Sequence, residues 1–241
     1  MKSKNDVHPD SKLAEIIINH PYIILMLEHF EISLPVQDLS ISQICEKYSI
    51  NKALFIAFTN LYCNKKGIPP LKLTADDALT ITRFLATSHR YYSEQIYPEI
   101  TQLIEQMSLQ NNHREMKLVS VFFADYFKEV TAHFDYENQI FHPYVDCLVA
   151  RDKGTAHKEN YMDYSVSQYQ DHHDDIEIKL TDLKNLLIKY LPVHNDQLIR
   201  RKLLFLLSEV EFDLNIHSKI EELILIPLAI ELENKNKVVG K

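Results

Sequence analysis

Apolar residues recur every three or four positions along four long stretches of the chain. These stretches cover residues 79–103, 118–144, 162–187 and 203–228. A repeat near 3.6 residues places apolar side chains on one face of an α-helix, so each stretch predicts an amphipathic helix of about 25 residues. Four such helices joined by shorter connections are typical of an up-down four-helix bundle, in which each apolar face is buried against its neighbours.

The residues before these stretches predict shorter helices. Helical spacings occur in three segments, which are residues 11–30 with a break at His20-Pro21, residues 38–48 and residues 51–62. The last two segments are separated at Ser49-Ile50-Asn51, which gives them the look of a helix-turn-helix. This part of the chain therefore predicts a small helical domain of its own.

A short polar segment separates the two regions. Lys65-Lys66-Gly67-Ile68-Pro69-Pro70 contains a glycine and a proline pair, which cannot continue a helix. We expect a small N-terminal helical domain, a linker, a four-helix bundle and a polar tail, at residues 1–66, 67–73, 74–232 and 233–241.

Composition supports the helical interpretation and excludes several classes of protein. Only 3 of the 241 residues are glycine, where about 7% is usual, so the turns of a β-rich or nucleotide-binding fold lack their residues. The chain is therefore predicted to be all-α. The net charge of −8 argues against nucleic acid and against an anionic membrane surface.

Cysteine usage and hydropathy bear on the compartment. The 3 cysteines are scattered and too few for a disulfide framework, which suits a reducing environment. The first residues lack the apolar run of a signal peptide, and no window holds 18 uncharged apolar residues. We expect a cytoplasmic protein without a membrane segment.

Histidine interrupts the apolar stripe of each of the four predicted helices, and glutamate follows it one turn later on two of them. The residues on these core-facing positions are His89, His133, Glu137, His173, His217 and Glu221. Burying such groups costs several kcal/mol unless they are paired or coordinated. Residues four apart lie one above the other on a helix, so each His/Glu pair directs two ligands to one point. This pattern predicts a metal site inside the bundle.

Two of the helices carry the same longer pattern. It is His-x-x-x-Glu followed six residues later by proline, in HFDYENQIFHP ending at Pro143 and HSKIEELILIP ending at Pro227. The pair His173/Glu177 has the same first part without the proline, and we interpret Glu177 as a residue at the rim. The repeated pattern indicates a duplicated helical hairpin and makes a chance arrangement improbable.

The donor types narrow the choice of metal. Four imidazoles and two carboxylates without thiolate exclude an iron–sulfur cluster and argue against a structural zinc site. Two ions bridged by Glu137 and Glu221, each also bound by two imidazoles, would use all six ligands and leave open positions. Iron is the expected metal, and manganese or mixed occupancy stays open.

At this point the sequence resembles the hemerythrin-like HHE cation-binding domains and, more closely, the di-iron proteins of iron–sulfur cluster repair. The matching pieces are SHRYY around His89, HFDYENQIFHP, HHDDI and HSKIEELILIP. The resemblance covers nearly the whole chain, because those proteins also join such a bundle to a small N-terminal helical domain. It implies four terminal histidine ligands, two bridging glutamates and two non-haem iron ions that are oxo-bridged when oxidised.

The resemblance also implies a function. The family protects or restores iron centres damaged by nitric oxide or peroxide, and the implied means is the supply of iron. The implied partners are therefore damaged iron–sulfur proteins, and whether the chain forms a homodimer stays open. One departure concerns the N-terminal domain, where the family usually carries a vicinal cysteine pair. Leu34-Pro35 stands about where the thiols would lie, and nearby Cys45 is interpreted as a buried apolar residue. We therefore expect iron release rather than thiol chemistry.

Several alternatives stay open at this stage. The same di-iron site suits a sensor or carrier that binds O2 or NO, and also an oxidase or peroxidase, so whether the protein is an enzyme is undecided. A DNA-binding regulator is disfavoured because no arginine precedes Arg83 and the segment KALFIAFTNLY is apolar on nearly every side. His173 is preferred over His172 as the ligand because it lies near the centre of its apolar stripe.

Overall fold

The computed structural model of the chain describes residues 7–65, 71–110, 114–155, 164–170, 178–192 and 195–239. Over these ranges the protein is helical and contains no strand, apart from one isolated bridge between Lys12 and Ser40. The all-α prediction is therefore confirmed for the described part of the chain. The up-down order of four helices stays a prediction, as do the predicted domain limits.

The described part of the chain contains twelve α-helices and three π-helical segments, joined by turns and loops. The α-helices in chain order are α1 (Leu13–Asn19), α2 (Ile23–His29), α3 (Ile41–Tyr48), α4 (Lys52–Tyr62), α5 (Ala75–Tyr91), α6 (Tyr97–Gln110), α7 (Arg114–Tyr136), α8 (His142–Asp152), α9 (Val166–Gln170), α10 (Ile178–Lys189), α11 (Gln197–Ile220) and α12 (Ile226–Val239). The π-helical segments are Tyr92–Ile96, Glu137–Phe141 and Glu221–Leu225. Within the described ranges, no helix combines the length and apolarity that crossing a membrane requires.

The chain forms two compact units. One comprises Met1–Thr87, Tyr144–Val166 and Ser218–Lys241, and the other comprises Ser88–Pro143 and Ser167–His217. We call them the first and the second unit, and each is described by itself.

The first unit begins with four short helices whose limits follow from local sequence. Ser40 and Gln43 form a capping box at the start of α3, and Ser49 ends that helix in a left-handed conformation. The Asn51 side chain then accepts from two backbone amides to begin α4. The predicted break at Ser49-Ile50-Asn51 is confirmed. Helix α4 buries most of its side chains, as its apolar sequence predicts.

The core of the first unit is aromatic. The Phe84 ring lies 4.7 Å from Phe30 and 4.9 Å from Phe58, measured between ring centroids. Asp77 accepts hydrogen bonds from the Thr74 backbone and from the Asn51 side chain, at 2.7 and 3.0 Å. These contacts fix the beginning of α5 against the loop before α4.

The second unit is packed by apolar side chains from α6, α7, α10 and α11. Buried members of this core include Ile100, Phe123, Leu183 and Leu207. The guanidinium of Arg200 donates to the carbonyl of Leu187 in the last turn of α10, to two carbonyls just beyond that helix and to the carboxylate of Asp196.

One predicted apolar stripe is wrong at two of its positions. The spacing along residues 118–144 puts Leu118 and Glu129 on the core face of α7, but Leu118 is 61% exposed and the side chain of Glu129 is 57% exposed. Val119 and Val130, one position further along, are buried instead. Adjacent apolar residues such as Leu118-Val119 fit two helical registers, and contact with the core decides between them.

Candidate metal centre

The structure describes five of the six predicted ligands. His89 lies in the last turn of α5, His133 in the last turn of α7 and His217 near the end of α11. Glu137 and Glu221 are each the first residue of a π-helical segment. The sixth predicted ligand, His173, and its neighbour His172 lie outside the described residues.

Four of the predicted ligands form one compact group that could hold a metal ion. His89, Glu137, His217 and Glu221 are all buried, and each offers a ligand atom within 4.8 Å of the other three. Two carboxylates and two imidazoles with this separation resemble the first coordination sphere of a divalent cation. The prediction of a metal site is supported at this level, and the identity of the metal is open.

Glu137 and Glu221 each lie at a point where the helix widens into a π-helical turn, and the sequence explains these turns. A proline follows two residues after each segment, at Pro98, Pro143 and Pro227. Proline lacks an N–H and its ring clashes with the carbonyl four residues earlier, which a wider turn relieves. The residue before each proline donates instead to the carbonyl five residues earlier, as His142 does to Glu137.

The two buried imidazoles are oriented through their Nδ1 atoms. His89 Nδ1 lies 3.0 Å from Asn138 Oδ1, and His217 Nδ1 lies 2.9 Å from the hydroxyl of Ser88. An amide oxygen only accepts, so His89 Nδ1 carries a hydrogen and Nε2 is the ring atom that faces the other ligands. Such partners on the far nitrogen hold histidine rings in the orientation that metal binding requires.

The Nε2 atoms point toward a common centre. His89 Nε2 lies 3.2 Å from His217 Nε2 and 3.2 Å from Glu137 Oε2. A lone pair that faces a carboxylate oxygen at this distance is repelled unless a proton or a metal cation lies between them. The donor set and its orientation therefore fit a metal cation.

Glu137 divides its two carboxylate oxygens between different partners. Oε2 faces His89, whereas Oε1 lies 3.2 Å from His133 Nε2 and accepts a hydrogen bond of 2.5 Å from the Tyr169 hydroxyl. Burial alone would raise the pKa of the Glu137 carboxyl, but hydrogen bonds from His133 and His89 hold that pKa well below its usual range. Glu137 is therefore an anionic donor with two distinct faces.

Aromatic rings and a second polar pair surround these ligands. Phe134 stacks on His89 with ring centroids 4.2 Å apart, and His142 lies parallel to His89 at 5.7 Å. One turn away from the ligands, the Tyr92 hydroxyl donates to Asp213 at 2.7 Å, and both residues are fully buried. The environment thus combines an apolar wall with a few oriented polar groups.

Sequence reasoning missed several of these residues. Asn138 and Ser88 directly follow or precede a ligand, and Asp213 lies one turn before His217. Chain neighbours of a ligand point elsewhere on a regular helix, so only the three-dimensional arrangement reveals their contacts. The proline after each π-helical segment was the available signal for the wider turn, and it was noted in two of the three cases.

Comparisons with known proteins give no further information on this site. No protein-family model matches the chain, and neither a curated protein nor a solved structure matches it.

Proposed function

We propose that the chain binds two non-haem iron ions and supplies iron to damaged iron–sulfur proteins under nitrosative or oxidative stress. The observation that carries the proposal is the divided carboxylate of Glu137. One oxygen faces His89 and the other faces His133, at 3.2 Å each. A carboxylate that bridges two ions presents its oxygens to two different sets of imidazoles in this way.

The proposed ligands divide into two half-sites. His89 faces Glu137 Oε2, and its Nε2 lies 3.2 Å from that of His217. These two histidines would bind one ion, and His133 with His173 would bind the other. Glu221, buried and within the compact group of four, would be the second bridging carboxylate. Redox-active iron bound here would also react with nitric oxide or peroxide, and the chain's own residues would hold the ions and limit the access of water.

Release of iron is favoured over thiol chemistry by the state of Cys45, the cysteine that follows Leu34-Pro35 most closely in the sequence. Cys45 is buried, and burial raises the pKa of its thiol to about 11. A thiol with that pKa is almost entirely protonated at neutral pH, and the protonated form is a poor nucleophile. The proposed activity therefore depends on the histidines and glutamates rather than on Cys45.

Two measurements test the proposal. Protein purified anaerobically after iron-replete expression should contain two iron ions per chain, and trace metal only would contradict it. The iron-loaded protein should then reactivate aconitase or fumarase whose cluster has been damaged. Cys45→Ala should retain this activity and His217→Ala should lose it; the reverse pattern would refute the proposal.

A second candidate function is reversible binding of O2 or NO by the same ions, as a sensor or carrier. The aromatic wall that Phe134 forms against His89 favours it, because apolar surroundings retain small uncharged ligands. Stopped-flow mixing of the reduced protein with O2 separates the candidates. A stable adduct favours binding, and rapid oxidation with loss of iron favours supply.

A further inference from the structure

The two carboxylate oxygens of Glu137 are not equivalent. Oε1 has two partners, the imidazole of His133 and the hydroxyl of Tyr169, whereas Oε2 faces His89. The imidazoles differ as well, because the His133 side chain is 11% exposed while His89 is 2% exposed and His217 is 4% exposed. The side of Glu137 that faces His133 is therefore the one closer to solvent.

Tyr169 makes two contacts with the π-helical segment that contains Glu137. Its hydroxyl donates to Glu137 Oε1 at 2.5 Å, and its ring stacks on Phe141 with centroids 3.6 Å apart and planes inclined by 3°. Glu137 and Phe141 are the first and last residues of one π-helical segment. Tyr169 is fully buried and belongs to α9, a helix of only 5 residues. These two contacts connect that short helix to the carboxylate.

The opposite side has its own anchors. Asn138 and Ser88 fix the Nδ1 atoms of His89 and His217, and neither anchor is the partner of Oε1. Removal of a group that positions a ligand typically lowers metal affinity about 10–100-fold. Separate anchors allow one ion to be loosened while the other is retained.

We infer that the two iron ions are unequal. The ion beside His133 is the one released, and Tyr169 is a positioning residue that restrains it through Glu137 Oε1. This inference rests on the proposed function, since it names which of the two ions is supplied. It assigns the ion beside His89 and His217 the role of a retained ion.

Release of iron to a chelator tests the inference directly. Protein loaded with two equivalents of ferrous iron is mixed anaerobically with an excess of a ferrous chelator, and the coloured complex is followed with time. We expect two phases of one equivalent each. Tyr169→Phe keeps the stacked ring and removes only the hydroxyl, so it should accelerate the fast phase about 10–100-fold and leave the slow phase unchanged.

Two further variants make the assignment specific. Ser88→Ala should accelerate the slow phase alone, because Ser88 positions His217. The matched control is Tyr126→Phe, which removes another buried tyrosine hydroxyl of the second unit, one that lies 3.2 Å from the hydroxyl of Tyr97. Neither phase should change in that control.

Several results would overturn the inference. A single phase that releases both equivalents from the unaltered protein would show that the ions are equivalent. Acceleration of the slow phase by Tyr169→Phe would assign that residue to the wrong ion. If Tyr169→Phe does not fold, His133→Ala provides the test. This variant should retain one equivalent of iron, which leaves at the slow rate. Release of that equivalent at the fast rate would contradict the inference. If the unaltered protein never binds two equivalents of iron, the proposed function is wrong, and this result is seen before the chelator is added.

Discussion

Two buried histidines in different regions of the molecule have opposite surroundings. His29, at the end of α2, is 1% exposed and meets the Phe84 ring edge-on at 5.3 Å. His89, at the end of α5, is 2% exposed and has Nε2 within 3.2 Å of both a carboxylate oxygen and a second imidazole. Residue type, helix position and burial are nearly the same in the two cases.

The difference shows that burial alone does not identify a ligand. His29 packs as one more ring of an aromatic core that includes Phe30 and Phe58. His89 is surrounded by groups that present lone pairs to one point, and it is oriented by Asn138 from the other side. Convergence of donor atoms, rather than the presence of a histidine in a core, is the feature that marks the metal centre.

The most severe test of this comparison removes a carboxylate on which the donor atoms of the centre converge. Glu137→Ala deletes the carboxylate that faces both His89 and His133, so we expect affinity for each ion to fall by more than about 100-fold, beyond the effect of losing an outer partner. Iron content after anaerobic loading is the measurement. Glu129→Ala is the matched control, because Glu129 lies on the same helix with its side chain 57% exposed.

If Glu137→Ala binds two ions with unchanged affinity, the four buried residues are not a metal centre. Loss of iron in the Glu129→Ala control as well would mean that the effect comes from general destabilisation of α7.

The same substitution at the two buried histidines sharpens the comparison. His89→Leu should lose at least one iron ion, because its Nε2 is a proposed ligand. His29→Leu should retain both ions, because His29 is not a member of the compact group of four buried ligands, whatever the substitution costs in the free energy of unfolding. Iron content and urea unfolding of the metal-free proteins measure the two effects.

Iron loss in both leucine variants, or in His29→Leu alone, would contradict the distinction between the two histidines.

The smallest effect concerns polar groups that lie near the centre without belonging to it. Tyr92→Phe removes the hydrogen bond of 2.7 Å to the buried carboxylate of Asp213. A bond to a charged group contributes about 1.5–3 kcal/mol, so we expect that loss of unfolding free energy in the metal-free protein, with iron content unchanged. Tyr91→Phe is the control, because its bond to Glu209 is 3.3 Å long and half-buried; it should cost less than about 1 kcal/mol.

If Tyr92→Phe keeps the unfolding free energy of the unaltered protein but loses iron, Tyr92 belongs to the metal centre. The separation of Tyr92 and Asp213 from the ligands would then be wrong.

The sequence predicts the helices and all four members of the compact group because both depend on spacing. His89, Glu137, His217 and Glu221 lie on apolar stripes, and a polar residue on such a stripe is visible without a structure. The prediction for Leu118 on α7 was wrong because neighbouring apolar residues make two registers equally good. Spacing carries information only where polar and apolar positions differ.

The contacts that orient the ligands could not be predicted in the same way. Asn138 follows Glu137 in the chain but bonds to His89 on another helix, and Tyr169 reaches Glu137 from the short helix α9. These pairs depend on how helices meet, which a one-dimensional pattern does not contain. The role of His173 stays a prediction for a simpler reason, since it lies outside the described residues.

The two π-helical segments that begin with a proposed ligand, Glu137–Phe141 and Glu221–Leu225, have a consequence for how such a chain can evolve. A π-turn inside an α-helix is equivalent to a single inserted residue, which rotates everything beyond it by about 100°. A descendant that lost the extra residue of Glu137–Phe141 would regain a regular helix but turn the side chains on one side of the deletion away from their partners. The proline that follows, Pro143, would at the same time again oppose the carbonyl four residues before it. The inserted residue, the proline and the ligand at the start of the segment therefore have to be inherited together, as one indivisible piece of sequence.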